Sequence, residues 1–257
     1  MSKNVLSVER KERIRQAVQH RGAVHLEDLC EELGVSQATV RRDLAVLDRA
    51  GLVRRVHGGA VGVGGSMAEP GFEDKTAMAA AEKRRIAQKA LAMVEPEMTV
   101  FLDGGSTVLA LAALLKDMPT LTVATNSMRV AELFADSGPQ TIMLGGELRR
   151  ISQTFVGPLS APLIEQLHPD LAFFGALGVS ANAGMTTTDP REALTKRLAL
   201  ANARKSVLLA DGAKVGRVSF VKFGDTGALD ALVTDAGASE GELESIARTG
   251  ARVVVAA

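Results

Sequence analysis

The sequence predicts an α/β chain, a mostly parallel sheet covered by helices on both faces, behind a small helical N-terminal domain. Three observations carry this. Beyond residue 98, short apolar runs (99–102, 121–124, 141–144, 171–174, 206–210, 229–234 and 252–255) alternate with helical stretches, the pattern of a parallel sheet buried on both sides. Before residue 62 the apolar residues recur at helical spacing instead. Between the two regions lies Gly-Val-Gly-Gly-Ser-Met-Ala-Glu-Pro-Gly at 62–71, flexible through its glycines and broken by Pro70. The expected domains are residues 1–63, a linker over 64–71, and residues 72–257.

Each element follows in order. A helix is expected over 7–20, with Val8, Ile14, Ala17 and Val18 near one face and Gly22 ending it. A second covers 26–33, where Leu26, Leu29, Cys30 and Leu33 stand at i, i+3, i+4 and i+7. Gly34-Val35 is a tight turn, and Ser36 is a good N-cap for a third helix running to about residue 50. Val40, Leu44 and Leu47 face inward there, and Gly51 stops the helix. A strand over 52–56, a turn at His57-Gly58-Gly59 and a strand over 60–63 make a hairpin. After the linker, one helix over 72–94 carries Ile86, Ala90 and Val94 on a stripe and ends at Glu95-Pro96. Helices over 108–116, 127–135, 161–167, 192–203 and 240–247 fill the gaps between strands.

The 257 residues contain no Trp and no Tyr, so the core must be built from Ala, Val, Leu, Ile, Met and Phe. Cys30 is the only cysteine, which excludes an intrachain disulfide and a zinc cluster; its place in an apolar stripe marks it as a small core residue. No apolar run approaches the roughly 20 residues needed to cross a membrane. The polar first eleven residues lack the apolar core of a signal peptide. A cytoplasmic chain with no membrane partner is expected. The net charge is zero, yet residues 1–63 carry eleven Lys and Arg against eight Asp and Glu, a basic bias that agrees with nucleic-acid binding.

Residues 26–51 have helix-turn-helix spacing. The inward stripe of the third helix leaves Gln37, Thr39, Arg41 and Arg42 off the buried face near the helix N-terminus, the part that reaches base edges in the major groove. Arg bonds guanine in a bidentate way and Gln bonds adenine. Ser36 and the free N–H groups of the first turn suit a backbone phosphate. Arg54, Arg55 and His57 lie on the following hairpin, which reads as a wing.

A second constellation lies where predicted strands end: Asp103-Gly104-Gly105-Ser106-Thr107, Thr125-Asn126-Ser127, Gly145-Gly146-Glu147, Gly175-Ala176 and Asp211-Gly212-Ala213-Lys214. Ligands of open α/β sheets bind at the carboxyl ends of strands. Glycines let backbone N–H groups approach a phosphate, Ser106 and Thr107 open a helix that favours an anion, and Lys214 adds positive charge. Asp103, Glu147 and Asp211 can accept from sugar hydroxyls. Together these groups suit a phosphorylated sugar or polyol.

Val35-Ser36-Gln37-Ala38-Thr39-Val40-Arg41-Arg42-Asp43-Leu44, followed by Arg54-Arg55-Val56-His57-Gly58-Gly59-Ala60, closely resembles the DeoR family of bacterial repressors. That family carries a Val-Ser-x-x-Thr-(Ile/Val)-Arg-Arg-Asp-Leu recognition helix and an Arg-x-His-Gly-Gly-Ala wing. The resemblance continues through Glu82-Lys83-x-x-Ile86-Ala87, the Asp103 loop, Thr125-Asn126-Ser127, Gly145-Gly146, Asp211-x-x-Lys214 and Thr234-Asp235. It implies a winged helix-turn-helix that binds operator DNA, usually as a dimer or tetramer. It also implies a sensor domain related in fold to ribose-5-phosphate isomerase, with phosphorylated intermediates of sugar or polyol catabolism as effectors. Asp43 is expected to orient a neighbouring Arg, since a carboxylate repels phosphate. Ala213 departs from the family, which often has Ser before the Lys.

The leading expectation is a ligand-responsive repressor of a sugar or polyol operon, with no cofactor, no metal and no catalytic residue. An alternative is a sugar-phosphate isomerase with an appended DNA-binding domain, in which Glu147, Asp211 and Lys214 do acid–base work. Against it, no decisive catalytic set is visible, and His168 lies beside Pro169 in a loop-like stretch. A third reading is an architectural DNA binder whose sensor half no longer senses.

Overall fold

A computed structural model of the chain describes residues 7–21, 23–50, 52–56, 58–61 and 69–256. Gly22, Gly51, His57 and linker residues 62–68 lie outside the described residues, as do the side chains of Val8 and Arg54. The chain divides into two compact units, Met1–Pro70 and Gly71–Ala257.

The first unit holds α1 (Ser7–Arg21), β1 (Ala23–His25), α2 (Leu26–Leu33), α3 (Gln37–Arg49), β2 (Arg54–Val56) and β3 (Gly59–Val61). Its core is the three expected stripes meeting: Ile14 and Val18 from α1, Leu26, Leu29 and Leu33 from α2, and Val40, Leu44 and Leu47 from α3. Cys30 is half-buried and packs against that core. α2 closes at Gly34 in the left-handed conformation (φ 63°), whose N–H returns to the Cys30 carbonyl. The first hairpin strand starts at Arg54, two residues later than expected, and β1 was not foreseen. It pairs antiparallel with β3, giving the sheet order β1-β3-β2. Gly59 is required at this crossing, because a Cβ there would lie 2.0 Å from the Val24 carbonyl oxygen.

The second unit holds α4 (Phe72–Ala77), α5 (Ala80–Leu91), β4 (Thr99–Leu102), α6 (Ser106–Leu115), β5 (Thr122–Thr125), α7 (Met128–Phe134), β6 (Gln140–Met143), β7 (Glu147–Arg149) and β8 (Thr154–Val156). It continues with α8 (Ala161–Ile164), β9 (Leu171–Gly175), β10 (Gly178–Ser180), β11 (Gly184–Thr187), α9 (Pro190–Asn202), β12 (Ser206–Leu209), β13 (Val221–Gly224), β14 (Ala231–Asp235), α10 (Glu240–Ala247) and β15 (Arg252–Ala256). The seven apolar runs form one seven-stranded sheet, order β15-β14-β12-β9-β4-β5-β6, parallel at every pairing. Alternation along each strand feeds two cores. Leu171 and Phe173 of β9 join Ile86, Leu111 and Phe134 on the face covered by α5, α6 and α7. Ala172 and Phe174 join Ile164, Ala193 and Ile246 on the face covered by α8, α9 and α10.

Two expectations need correction. The helix over 72–94 is two helices, α4 and α5, interrupted at Met78 and Ala79, with Ala79 left-handed (φ 50°). That conformation costs a residue with a Cβ about 1–2 kcal/mol. The last carbonyls of the α4 region find their donor in a side chain: Lys83 Nζ donates to the Lys75 and Met78 carbonyls. Secondly, the β7–β8 hairpin and the antiparallel sheet β10-β11-β13 fall in stretches to which no element was assigned.

Candidate functional site

In the first unit, Ser36 caps α3 by accepting the Thr39 N–H at 3.3 Å, and the Ser36 and Thr39 hydroxyls lie 3.0 Å apart. Gln37, Arg41 and Arg42 are exposed while Val40 and Leu44 are buried. The helix thus turns its first polar residues to solvent, with Arg41 Nη2 3.5 Å from the Gln37 side-chain oxygen. Asp43 is buried, and its carboxylate accepts from Arg10 Nε of α1 at 2.6 Å. The arginine that Asp43 engages is therefore in α1, 33 residues earlier in the chain. The pair clamps α3 onto α1. The hairpin is tied to α3 where the Arg55 N–H donates to Asp48 Oδ1 at 3.1 Å, leaving the Arg55 side chain exposed.

In the second unit, β4 continues through α6 to β5 on one side, whereas its other neighbour is β9. The strand order reverses there, the position at which open α/β sheets bind ligands. Residues 103–107, 125–127, 145–147, 175–176 and 211–214 all lie at or just beyond the carboxyl ends of strands in this sheet. Asp103 is sealed in below the edge. Its Oδ2 accepts the Gly175 N–H at 3.2 Å and is paired with Lys196 Nζ, which also donates to the Gly175 carbonyl at 3.1 Å. Burial works against the charge on Lys196, and the carboxylates of Asp103 and Glu192 more than offset it, so this lysine holds its proton more tightly than usual.

The network extends outward with alternating charge. Glu192 Oε1 lies 3.3 Å from Lys196, and Glu192 Oε2 lies 3.2 Å from Arg149 Nη1. Arg149 reaches Asp189 at 3.2 Å, the Ser152 hydroxyl at 3.0 Å and the Thr188 hydroxyl at 3.1 Å. Asp189 caps α9 and pairs with Arg191 at 2.7 Å, and Arg191 meets Glu147. The Arg191 side-chain hydrogen bond outweighs burial, which acts the other way, and with the Arg149 and backbone hydrogen bonds it holds the Asp189 carboxyl well below the usual range. Asp103 and Glu147 thus sit at opposite ends of one relay.

The other predicted residues divide into two groups. Ser106 and Thr107 open α6 and are buried. A Cβ at Gly104 would lie 2.0 Å from Thr154 Cγ2 on the hairpin, so a larger residue there would displace that side chain. Lys214 Nζ is 3.3 Å from Asp211 Oδ2. That turn is held by Asp235, whose Oδ1 accepts the Gly212 N–H at 2.7 Å. In contrast, the Thr125 hydroxyl is spent on structure, donating to the Leu102 carbonyl at 2.6 Å and accepting the Ser127 N–H at 3.1 Å. Ser127 caps α7, and the Gly145 carbonyl accepts from the Ser160 hydroxyl at 2.6 Å. Asn126 Nδ2 donates to the Phe155 carbonyl at 3.3 Å. Asn126 Oδ1 and Asp103 Oδ1 are buried with no hydrogen-bond partner among the described residues.

A family model of the DeoR C terminal sensor domain matches residues 78–236, and one of the DeoR-like helix-turn-helix domain matches residues 10–63. The chain belongs to the DeoR family. Among curated relatives it is similar to the HTH-type transcriptional regulator GlpR of Haloferax volcanii, 35% identical over 97% of this chain and 98% of that one. It is also similar to the lactose phosphotransferase system repressor of Streptococcus mutans, 37% identical over 88% of this chain and 91% of that one. A solved ribose 5-phosphate isomerase A from Methanocaldococcus jannaschii aligns over 51% of this chain and 52% of its own, at 18% identity and a TM-score of 0.38.

Sequence reasoning missed five members of the relay: Arg149, Asp189, Arg191, Glu192 and Lys196. One signal was present. Glu192 and Lys196 stand at i, i+4 among Ala193 and Ala199, charges on the buried stripe of a predicted helix. Lys83 was noted only as part of a motif. It is buried, and burial, then the nearby Lys214 charge, lower it to about 8 despite Asp211. Among the described residues no group of His, Cys, Asp and Glu has the arrangement of a metal site, and no helix is long and apolar enough to cross a membrane.

Proposed function

We propose that this DeoR-family regulator represses a sugar or polyol catabolic operon and leaves its operator when a phosphorylated sugar or polyol occupies the second unit. The observation that carries this is the joint arrival of the glycine-rich Asp103–Thr107 loop and the Asp211–Lys214 turn at the carboxyl edge of one parallel sheet, where the strand order reverses. The α6 N-terminus and Lys214 supply the attraction for an anion. Asp103, Asn126, Glu147 and Asp211 supply acceptors for hydroxyls, and Gly104, Gly105, Gly145 and Gly146 let the backbone come close. Relatives named as repressors of carbohydrate systems support the same reading.

DNA is read by Gln37, Thr39, Arg41 and Arg42, with Ser36 at a phosphate and Arg54, Arg55 and His57 on the wing. Residues 64–71 act as the linker between residues 1–63 and 72–257. The protein works in the cytoplasm as a dimer or tetramer matching a two-fold operator, and it binds sugar phosphate without turning it over. Lys196 favours this non-catalytic reading: its charge is already neutralised by two carboxylates.

A thermal-shift screen against hexose 6-phosphates, pentose 5-phosphates and glycerol 3-phosphate tests the reading. A ligand at a hundred times its dissociation constant adds about 2.7 kcal/mol, which raises the melting temperature visibly. A hit that also releases operator DNA is expected. Turnover of the hit would support an isomerase, and operator binding indifferent to the whole panel would support an architectural binder.

A further inference from the structure

Helix α4 is the first element after the linker, so whatever holds it governs how residue 70 leaves the second unit. It is six residues long, about 9 Å at 1.5 Å per residue, too short to be stable alone. It packs against α6, the helix that follows the Asp103 loop. Phe72 anchors it in the interior. Beyond that, charged side chains from elsewhere hold it at both ends.

At its beginning, Arg129 of α7 pairs with Glu73, and the guanidinium carbon lies 5.8 Å from the centre of the Phe72 ring. The same guanidinium bonds the Gln153 side chain at the tip of the β7–β8 hairpin. The Met128 N–H donates to the Gln153 carbonyl at 3.0 Å, and the Phe155 N–H to the Asn126 carbonyl at 2.8 Å. These bonds fasten the hairpin to the β5 loop. At the far end of α4, buried Lys83 donates to the Lys75 carbonyl and, at 2.6 Å, to the Met78 carbonyl. Lys83 lies on α5, which packs against β12, the strand that leads into Asp211 and Lys214, and the charges of those two residues act on it. The strands β5 and β12 are three positions apart in the sheet, about 14 Å at the usual strand spacing. The two ties thus report on separate loops of the proposed effector site.

We infer that Arg129 and Lys83 are positioning residues for the effector response, fastening α4 across the site margin so that occupancy of the loops is passed to the linker. The inference rests on the effector reading above for its signal, though not for its structural core. Loosening α4 adds freedom that operator binding must then remove, so severed ties weaken operator affinity even without effector. They also reduce the coupling between the two ligands, which is a free energy measured from either side.

The test uses the full chain and an operator selected by the wild type from a random-sequence DNA pool. Glu73→Gln is the primary variant: the Glu73 side chain is 75% exposed, so its loss leaves the core intact. Arg129→Gln and Lys83→Met follow, with Arg85→Gln, an exposed pair on α5, as control. Without effector, amides 72–78 should exchange roughly fivefold faster in the three variants, with β9 amides unchanged. Operator affinity should fall roughly threefold or more in the same variants. Wild-type exchange and affinity in all three overturn the inference, whatever the sensor binds. With a hexose 6-phosphate that releases the wild type, the ratio of operator affinities without and with it should shrink roughly fivefold, while calorimetric affinity for the sugar phosphate stays near wild type. An unchanged ratio in Glu73→Gln and Arg129→Gln also overturns it. If no sugar phosphate releases the wild type, the effector reading fails, and the two effector-free measurements alone decide the role of the ties.

Discussion

Arg41 and Arg42 stand exposed on α3, whereas Asp103 and Lys196 lie under the sheet edge with side chains 1% and 2% exposed. Both regions are expected to meet a polar ligand, and they hold their charges in opposite ways. A surface that reads a long polyanion can leave cations in water, where they cost the fold almost nothing. A pocket for a small molecule removes charges from water, so each must be neutralised by another buried group. Among the described residues the first unit does this at Arg10–Asp43; the second does it along Asp103, Lys196, Glu192, Arg149 and Asp189, a relay that runs outward to exposed Arg191 and Glu147.

The contrast is broken most directly at Lys196. Lys196→Met leaves the Asp103 carboxylate buried without its cation, and removing one partner of such a pair costs about 3–5 kcal/mol. Urea denaturation should show a loss of that size, with part of it recovered when Asp103→Asn is added. A loss below about 1 kcal/mol would mean that water reaches Asp103 and that the two regions do not differ as described.

At the exposed end, Arg41→Ala and Arg42→Ala should leave stability within about 0.5 kcal/mol of wild type, as surface substitutions do. Each should weaken operator binding by about 1–3 kcal/mol if it reads a base. Fluorescence anisotropy at fixed salt measures this. Wild-type affinity in both variants would remove α3 from the DNA-reading role.

The same contrast explains what the sequence made legible. Helices α2 and α3 were readable because their determinants are local: a glycine stop at Gly34, a serine cap at Ser36 and an apolar stripe within Leu26–Arg49. The seven sheet strands were readable because burial on both faces makes them continuous apolar runs. Lys196 was not, because its partner Asp103 is 93 residues away and only the pairing of β4 with β9 and the packing of α9 against β9 bring them together. The β7–β8 hairpin escaped because three-residue strands carry too little alternation to stand out from a loop. The break between α4 and α5 escaped for a tertiary reason. No proline or glycine marks it, and the Lys83 side chain supplies the donors for the interrupted carbonyls.

The smallest effect separates two roles that the sequence assigned to one residue. Ser36 caps α3 through the Thr39 N–H, and it is also proposed to meet a phosphate. Ser36→Ala removes both and should cost about 1 kcal/mol of stability. Ser36→Asn restores an N-cap acceptor of comparable quality while replacing the hydroxyl. If Ser36→Asn recovers stability and operator affinity together, the serine acts on DNA only by ordering the first turn of α3. If stability returns and affinity stays low, the hydroxyl contacts the backbone itself. In that case the slope of log affinity against log salt should stay as in wild type, since a neutral hydroxyl releases no counterion.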